Sequence, residues 1–255
     1  MAWAAVTGTI PATMTYCLAM RLDDGLLFLA DTRTNAGVDN VSTFRKLHSF
    51  QPSASRLFVL ESAGNLATTQ EVMDRIRRDL EGATVNLGTV GHLFEAALYV
   101  GELSRTVVAE HRQALGESGA DATCSFILGG QIDDEPPDLL QIYPEGNYIR
   151  ASDDQPFLQI GETKYGKFML ELGVVAQVDL ERAAKVALTS MMSTARANVS
   201  VGPPYDMALY RNDTYALQQV RIEADDPFLA EAAEVWERHL LAAIADLPPV
   251  DLGHV

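Results

Sequence analysis

A change of hydrophobic period along the chain restricts its fold more than any other feature. Two strand-like runs come first: "TYCLAMRL" passes through Asp23-Asp24-Gly25, a hairpin signal, into "LLFLAD". A polar stretch rich in turn formers, "TRTNAGVDN", reads as a loop before a strand in "FRKLHSF", and after a Pro/Ser turn "RLFVLESAG" reads as another buried strand. The period then becomes helical. Leu66, Val72, Met73, Ile76 and Leu80 share one face, and Leu93, Phe94, Ala97, Leu98, Val100, Leu103 and Val107 mark a longer helix closed by Gly116 and Gly119. Strands return in "ATCSFILGG", "LLQIYPEG", "YIRAS" and "FLQIG", then helical spacing over 164–172 and 180–197. A strand pair, "PPYDMALYR" and "YALQQVRIE", and a last helix over 227–245 complete the order. Strands that arrive in runs, rather than each alternating with a helix, disfavour a doubly wound parallel sheet. Two antiparallel sheets facing each other, with helices on both outer faces, fit: an α+β fold. No repeat or low-complexity linker divides the chain, so 15–246 reads as one domain between a leader at 1–14 and a proline-rich tail at 247–255.

Composition excludes several function classes. The net charge of −16 over 255 residues argues against a nucleic-acid partner, because counterion release needs clustered Lys and Arg. No window approaches the roughly 18 consecutive apolar residues of a membrane span. The first fourteen residues, MAWAAVTGTIPATM, carry no Lys or Arg and so lack the charged start of a secretory signal, which makes a cytoplasmic location the default. Cys17 and Cys124 fall in apolar, strand-like runs and read as small buried hydrophobes. The five histidines are scattered, so no metal is expected. "GETKYGKF" at 161–168 matches a nucleotide-binding loop but ends in Phe168, without the hydroxyl that would hold a magnesium ion.

The chemistry centres on Met14-Thr15. An N-terminal threonine can supply both nucleophile and base: its hydroxyl attacks while its free α-amine, which titrates near neutrality, takes the proton. Such a site needs a nearby cation, a carboxylate to orient it and a backbone N–H for the oxyanion. Asp31 at the end of the second strand, Lys46 after the loop and Gly64 at the end of "SAG" supply these types. Each has a duller reading, as a turn cap, an exposed strand residue and a strand-terminal glycine.

"MTYCLAMRLDDGLLFLADTRTNAGVDNVSTFRKLHSF" resembles the start of a proteasome-type β-subunit, in particular the bacterial Anbu (ancestral β-subunit) group. "SAGNLATTQ", "SFILGGQI", "FLQIGETKYGK" and "NVSVGPPYDMALY" extend the likeness over about residues 14 to 245. The resemblance implies the N-terminal-nucleophile hydrolase fold, a four-layer αββα sandwich. It also implies a catalytic trio of Thr15, Asp31 and Lys46, with Gly64 at the oxyanion. Thr34, Asn35 and Gly37 match the loop lining the substrate cleft, and Ser62 the first specificity pocket, where a small neutral residue makes no strong demand for charge. The chain departs from the wider pattern at two sites, in three residues. Glu162 stands where many active subunits have serine. Asn198 and Val201-Gly202 stand where they have aspartate and, three residues later, Ser-Gly. Glu162 and Asn198 are thus candidate supporting residues.

The resemblance implies a threonine-type peptidase without metal or organic cofactor. It acts on a peptide or amide and assembles with its own copies into a ring or an open spiral, with any unfoldase unnamed. The departures leave open a specialised amidase or transferase, and an attached leader would leave an inactive scaffold. Residues 1–13 read as an upstream start, with Met14 the initiator removed before a small Thr15, or as a short propeptide cut at Met14-Thr15.

Overall fold

In the computed structural model of the chain, residues 15–35, 41–118 and 121–250 are described; the leader at 1–14, Gly37 and residues 251–255 lie outside them. The first sheet runs β10 (Phe157–Gly161), β1 (Tyr16–Leu22), β2 (Gly25–Asp31), β11 (Tyr205–Arg211), β12 (Leu217–Ile222), every neighbour antiparallel. The second runs β5 (Leu47–Ser53), β6 (Arg56–Gly64), β7 (Cys124–Ile132), β8 (Asp138–Ile142), β9 (Tyr148–Arg150), also antiparallel throughout. Helices α1 (Leu66–Asp79) and α2 (Leu93–Ser118) cover the second sheet, and α3 (Lys167–Gly173) and α4 (Leu180–Ala197) cover the first. This is the expected α+β sandwich of four layers.

Three apolar layers hold it. One packs Val72, Met73, Ile76 and Val100 against Phe58, Leu60 and Phe126. Another packs Leu170, Ala187 and Met191 against Leu18, Met20 and Leu29. The third lies between the sheets, where Cys17, Ala19, Phe28 and Ala30 meet Leu57, Val59, Ala63 and Ile127. Successive strand side chains alternate between faces, so each sheet feeds two layers at once. Helix starts are capped: Asn65, Asp179 and Asp226 accept from the backbone N–H groups of Thr68, Arg182 and Phe228.

The structure corrects three local readings. Lys46 is not inside a strand; β5 begins at Leu47, and Lys46 sits in the connection leading to it. The polar stretch read as a loop holds a short hairpin, β3 (Arg33–Asn35) against β4 (Val41–Thr43), made by pairing too local for hydrophobic alternation to reveal. The second helix continues through Gly116 to Ser118.

One residue breaks the apolar logic of the middle layer. Glu61 alternates with Leu57, Val59 and Ala63 on β6 and is fully buried between the sheets. Among the described residues neither carboxyl oxygen has a hydrogen-bond partner. Burial pushes its titration well above the usual carboxylate range; the Leu29 backbone offsets part of this but lies outside bonding geometry. A folded-state pKa above the unfolded one means that stability present at low pH is lost as pH rises. Glu61→Leu is therefore expected to raise stability by about 1–3 kcal/mol near neutral pH, the cost of an unsatisfied buried polar group. The gain should shrink toward pH 4, which urea midpoints at the two pH values will check.

Candidate active site

The mouth of the sandwich lies where β1 and β2 begin and end against the ends of β6 and β7. Thr15, buried just before β1, is held from its carbonyl side: the Glu162 N–H donates to its carbonyl oxygen at 2.7 Å. Gly161 permits this approach. A Cβ there would sit 1.9 Å from the Thr15 carbonyl oxygen, and its φ of +85° suits glycine alone. Tyr16 anchors the same strand from behind, its hydroxyl bonding to Ser190 Oγ at 2.8 Å and accepting from Gln159 Nε2. Burial pushes the Tyr16 phenol up to about 12, against the lowering effect of those two bonds, so it stays neutral.

Asp31, the last residue of β2, is the hub. Its Oδ1 accepts from Lys46 Nζ at 2.7 Å and from the Tyr16 N–H at 3.0 Å, and its Oδ2 accepts from the Gly202 N–H at 3.3 Å. Lys46 Nζ also donates to the Arg33 carbonyl at 2.7 Å. Both ionic side chains are almost wholly buried. Burial is the largest influence on Asp31 and raises its titration, opposed by Lys46 and by the two backbone donors. The sequence-expected carboxylate and cation are thus brought together, one bond away from the amide that follows Thr15.

Gly64 ends β6 at φ +113°, with the Thr123 carbonyl so close that a Cβ would meet it at 2.4 Å. It lines a cleft that also includes Gly161. Ser62 is buried, donates its N–H to the Lys46 carbonyl at 2.9 Å and so packs on the connection carrying the cation. Thr34 is buried in β3 with no partner for its hydroxyl among the described residues. Asn35 pairs with Val41 across the hairpin. Asn198 Nδ2 donates to Glu162 Oε2 at 3.0 Å, so the two departures from the wider pattern meet each other.

Sequence reasoning missed Tyr16, Gln159 and Ser190, and it named Gly202 only within the Val201-Gly202 departure, without its bond to Asp31. Their roles come from pairing across the fold. A histidine–carboxylate group, Glu71, Glu110 and His111, gathers elsewhere on α1 and α2, but Arg75 already bridges both carboxylates. Among the described residues no helix is long and apolar enough to cross a membrane.

Removing one partner of a buried ion pair leaves an uncompensated charge. Asp31→Asn is expected to cost about 3–5 kcal/mol, read as a lower urea midpoint. Because burial raises the Asp31 titration, protonation frees Lys46 at a higher pH than an exposed aspartate, about 3.9, would. Any activity relying on the pair should therefore fall on its acid limb above that value, in a pH–rate profile.

The model of the family described as "Proteasome subunit" matches residues 13–209. Anbu (ancestral β-subunit) from Yersinia bercovieri is 44% identical, over 94% of this chain and 100% of that one, with a TM-score of 0.87. An Anbu (Gly-1) mutant from Hyphomicrobium sp. strain MC1 is 43% identical over 93% and 100%, with a TM-score of 0.86. The helical assembly of the Anbu complex from Pseudomonas aeruginosa contains a chain 41% identical over 92% and 98%, with a TM-score of 0.87. A search of curated proteins gave no match. The chain belongs to the proteasome subunit family, in its Anbu (ancestral β-subunit) group.

Proposed function

We propose that the protein is a cytoplasmic threonine-type peptidase or amide hydrolase whose nucleophile is Thr15, released as an N-terminal residue. The observation that carries this reading is the buried Lys46–Asp31 pair, bonded to the amide that immediately follows Thr15. The Thr15 hydroxyl attacks the substrate carbonyl while the Thr15 amine takes its proton and passes it to the leaving nitrogen. Lys46 keeps that amine neutral and stabilises developing negative charge, and Asp31 holds Lys46. The Gly64 N–H stabilises the oxyanion. A water activated by the same amine then hydrolyses the acyl-enzyme. Ser62 borders the acyl-side pocket.

A narrower reading, a specialised amidase or transferase, draws support from the Glu162–Asn198 bond. The carboxylate belongs to the residue whose N–H holds the Thr15 carbonyl, and it stands where the wider family has a serine hydroxyl, which changes what the site can accept. Profiling a broad amide library beside generic peptide reporters separates the two, since turnover of generic peptides counts against the narrow form. Thr15→Ala is expected to abolish hydrolysis in either case, and an unchanged rate would sink both. Intact mass supplies the second check: active protein must begin at Thr15.

Self-assembly is the second part of the proposal. The apolar faces of α1 and α2 are largely spent on the second sheet. Helix α5 (Pro227–Ala245) instead has no buried residue, and its Leu241 and Ile244 are 60% and 65% exposed. A second copy of this chain is the occupant that matches, given the helical assembly recorded for the Pseudomonas aeruginosa relative. Ile244→Asp together with Leu241→Asp is expected to reduce the assembled fraction in analytical ultracentrifugation while leaving the monomer folded. An unchanged distribution would assign assembly to another surface.

A further inference from the structure

In the first sheet β1 lies between β10 and β2, and in the second β6 lies between β7 and β5. Across the sheets β1 meets β6 and β8, β2 meets β5, and β10 meets β6, β7 and β8. The nucleophile at the start of β1 and Gly64 at the end of β6 therefore form a central line with two different flanks. On the β2–β5 flank sit Asp31 and Lys46, whose carbonyl accepts from the Ser62 N–H of β6. On the β10–β7 flank is a cleft of about 270 Å³, bounded by Gly64 and Gly161 and lined by Asn65, Asp121, Thr123 and Ser125. The volume falls below the roughly 300–1,000 Å³ of drug-sized ligand sites and suits a single side chain.

Among the described residues, Asp121 is the one charged residue lining this cleft. Its position is fixed from three directions. Asn65 Nδ2 donates to its backbone carbonyl at 2.8 Å, the Thr123 N–H to Oδ1 at 2.9 Å and Thr123 Oγ1 to Oδ2 at 2.8 Å. Each carboxylate oxygen retains acceptor capacity beyond these bonds. No Lys, Arg or His among the described residues pairs with it, although many exposed carboxylates of this chain do find such partners. The start of α1 at Leu66 also borders the cleft and would favour an anion, but with only about half a unit charge. The full charge of Asp121 outweighs it.

We propose that this cleft is the subsite for the leaving side of the substrate, and that Asp121 selects there for a residue with a cationic side chain. The proposal rests on Thr15 being the nucleophile and Ser62 bordering the acyl side. A carbonyl presented between Thr15 and Gly64 then sends its leaving nitrogen across the central line, over the cleft. Asp121 is a specificity determinant that contacts the side chain beyond the scissile nitrogen and takes no part in proton transfer.

The test measures binding and turnover separately, with acetyl-Ala-Ala-X-Ala-amide peptides in which X is Lys, Gln or Glu. Binding is measured by calorimetry on the Thr15→Ala chain, with and without Asp121→Asn. The Lys peptide is expected to bind up to about fivefold more tightly than the Gln peptide, the scale of an exposed ion pair, and the Glu peptide least tightly. The advantage should shrink with added salt. Asp121→Asn should bring the Lys-to-Gln ratio close to unity, and Asp121→Lys should turn the preference toward Glu. Equal binding of all three peptides, no binding, or a Lys preference that Asp121→Asn leaves intact overturns the subsite. Turnover by the chain beginning at Thr15 answers the other question: a Lys binding preference without Thr15-dependent cleavage upholds Asp121 as the cation-selecting residue of the cleft but overturns the hydrolase and, with it, the assignment of the cleft to the leaving side.

Discussion

Everything at the mouth of this sandwich depends on where the charge of Lys46 is held. A lysine and an aspartate taken out of water together lose hydration that their mutual attraction recovers only with well-aligned hydrogen bonds. Asp31 has three such bonds, from Lys46, Tyr16 and Gly202, and Lys46 has a second acceptor in the Arg33 carbonyl. The pair thereby ties together the end of β2, the start of β1, the connection before β5 and the segment before β11. The last of these is braced again where Thr32 donates its N–H and its hydroxyl to the Pro204 carbonyl. Four distant stretches of chain converge on one ion pair, so the site cannot form before both sheets have.

The layers that carry this pair were largely legible in the sequence. Strands β1, β2, β6, β7, β10 and β11, like helices α1, α4 and α5, follow hydrophobic runs and capping residues that need no tertiary information. The resemblance to proteasome-type subunits was legible too, because its strings are long and ordered. What did not show was set by partners far away along the chain. Lys46 falls outside β5 because its side chain turns to Asp31, and Glu61 reads as an ordinary polar strand position until the opposite sheet closes over it. Tyr16 looked like one more strand aromatic, yet its hydroxyl meets Ser190, 174 residues on. Spacing arguments work within a strand or helix; these contacts cross the whole sandwich.

The same division explains why the departures from the wider family pattern could be noticed but not interpreted from sequence. Glu162 and Asn198 lie 36 residues apart, one after β10 and the other capping α4. Each alone is a loss of a hydroxyl or of a carboxylate. Together they form a bonded pair in which a carboxylate stands at the first position and an amide at the second. In the proposed function this pair bears on the substrate accepted, because Glu162 also holds the Thr15 carbonyl through its N–H.

The geometry around Thr15 also clarifies why the Met14-Thr15 bond can be the deciding one. Among the described residues, three features fix the residue from its carbonyl side: the Glu162 N–H on its carbonyl oxygen, the close approach of Gly161, and the bond from the Tyr16 N–H to Asp31. None of these uses the Thr15 nitrogen. Cutting the bond before it therefore frees an amine without removing any of these supports. In the proposed mechanism that amine is the base, so the residue is positioned before it is competent. On that reading the fold supplies position, and a single peptide bond controls whether that position has chemistry.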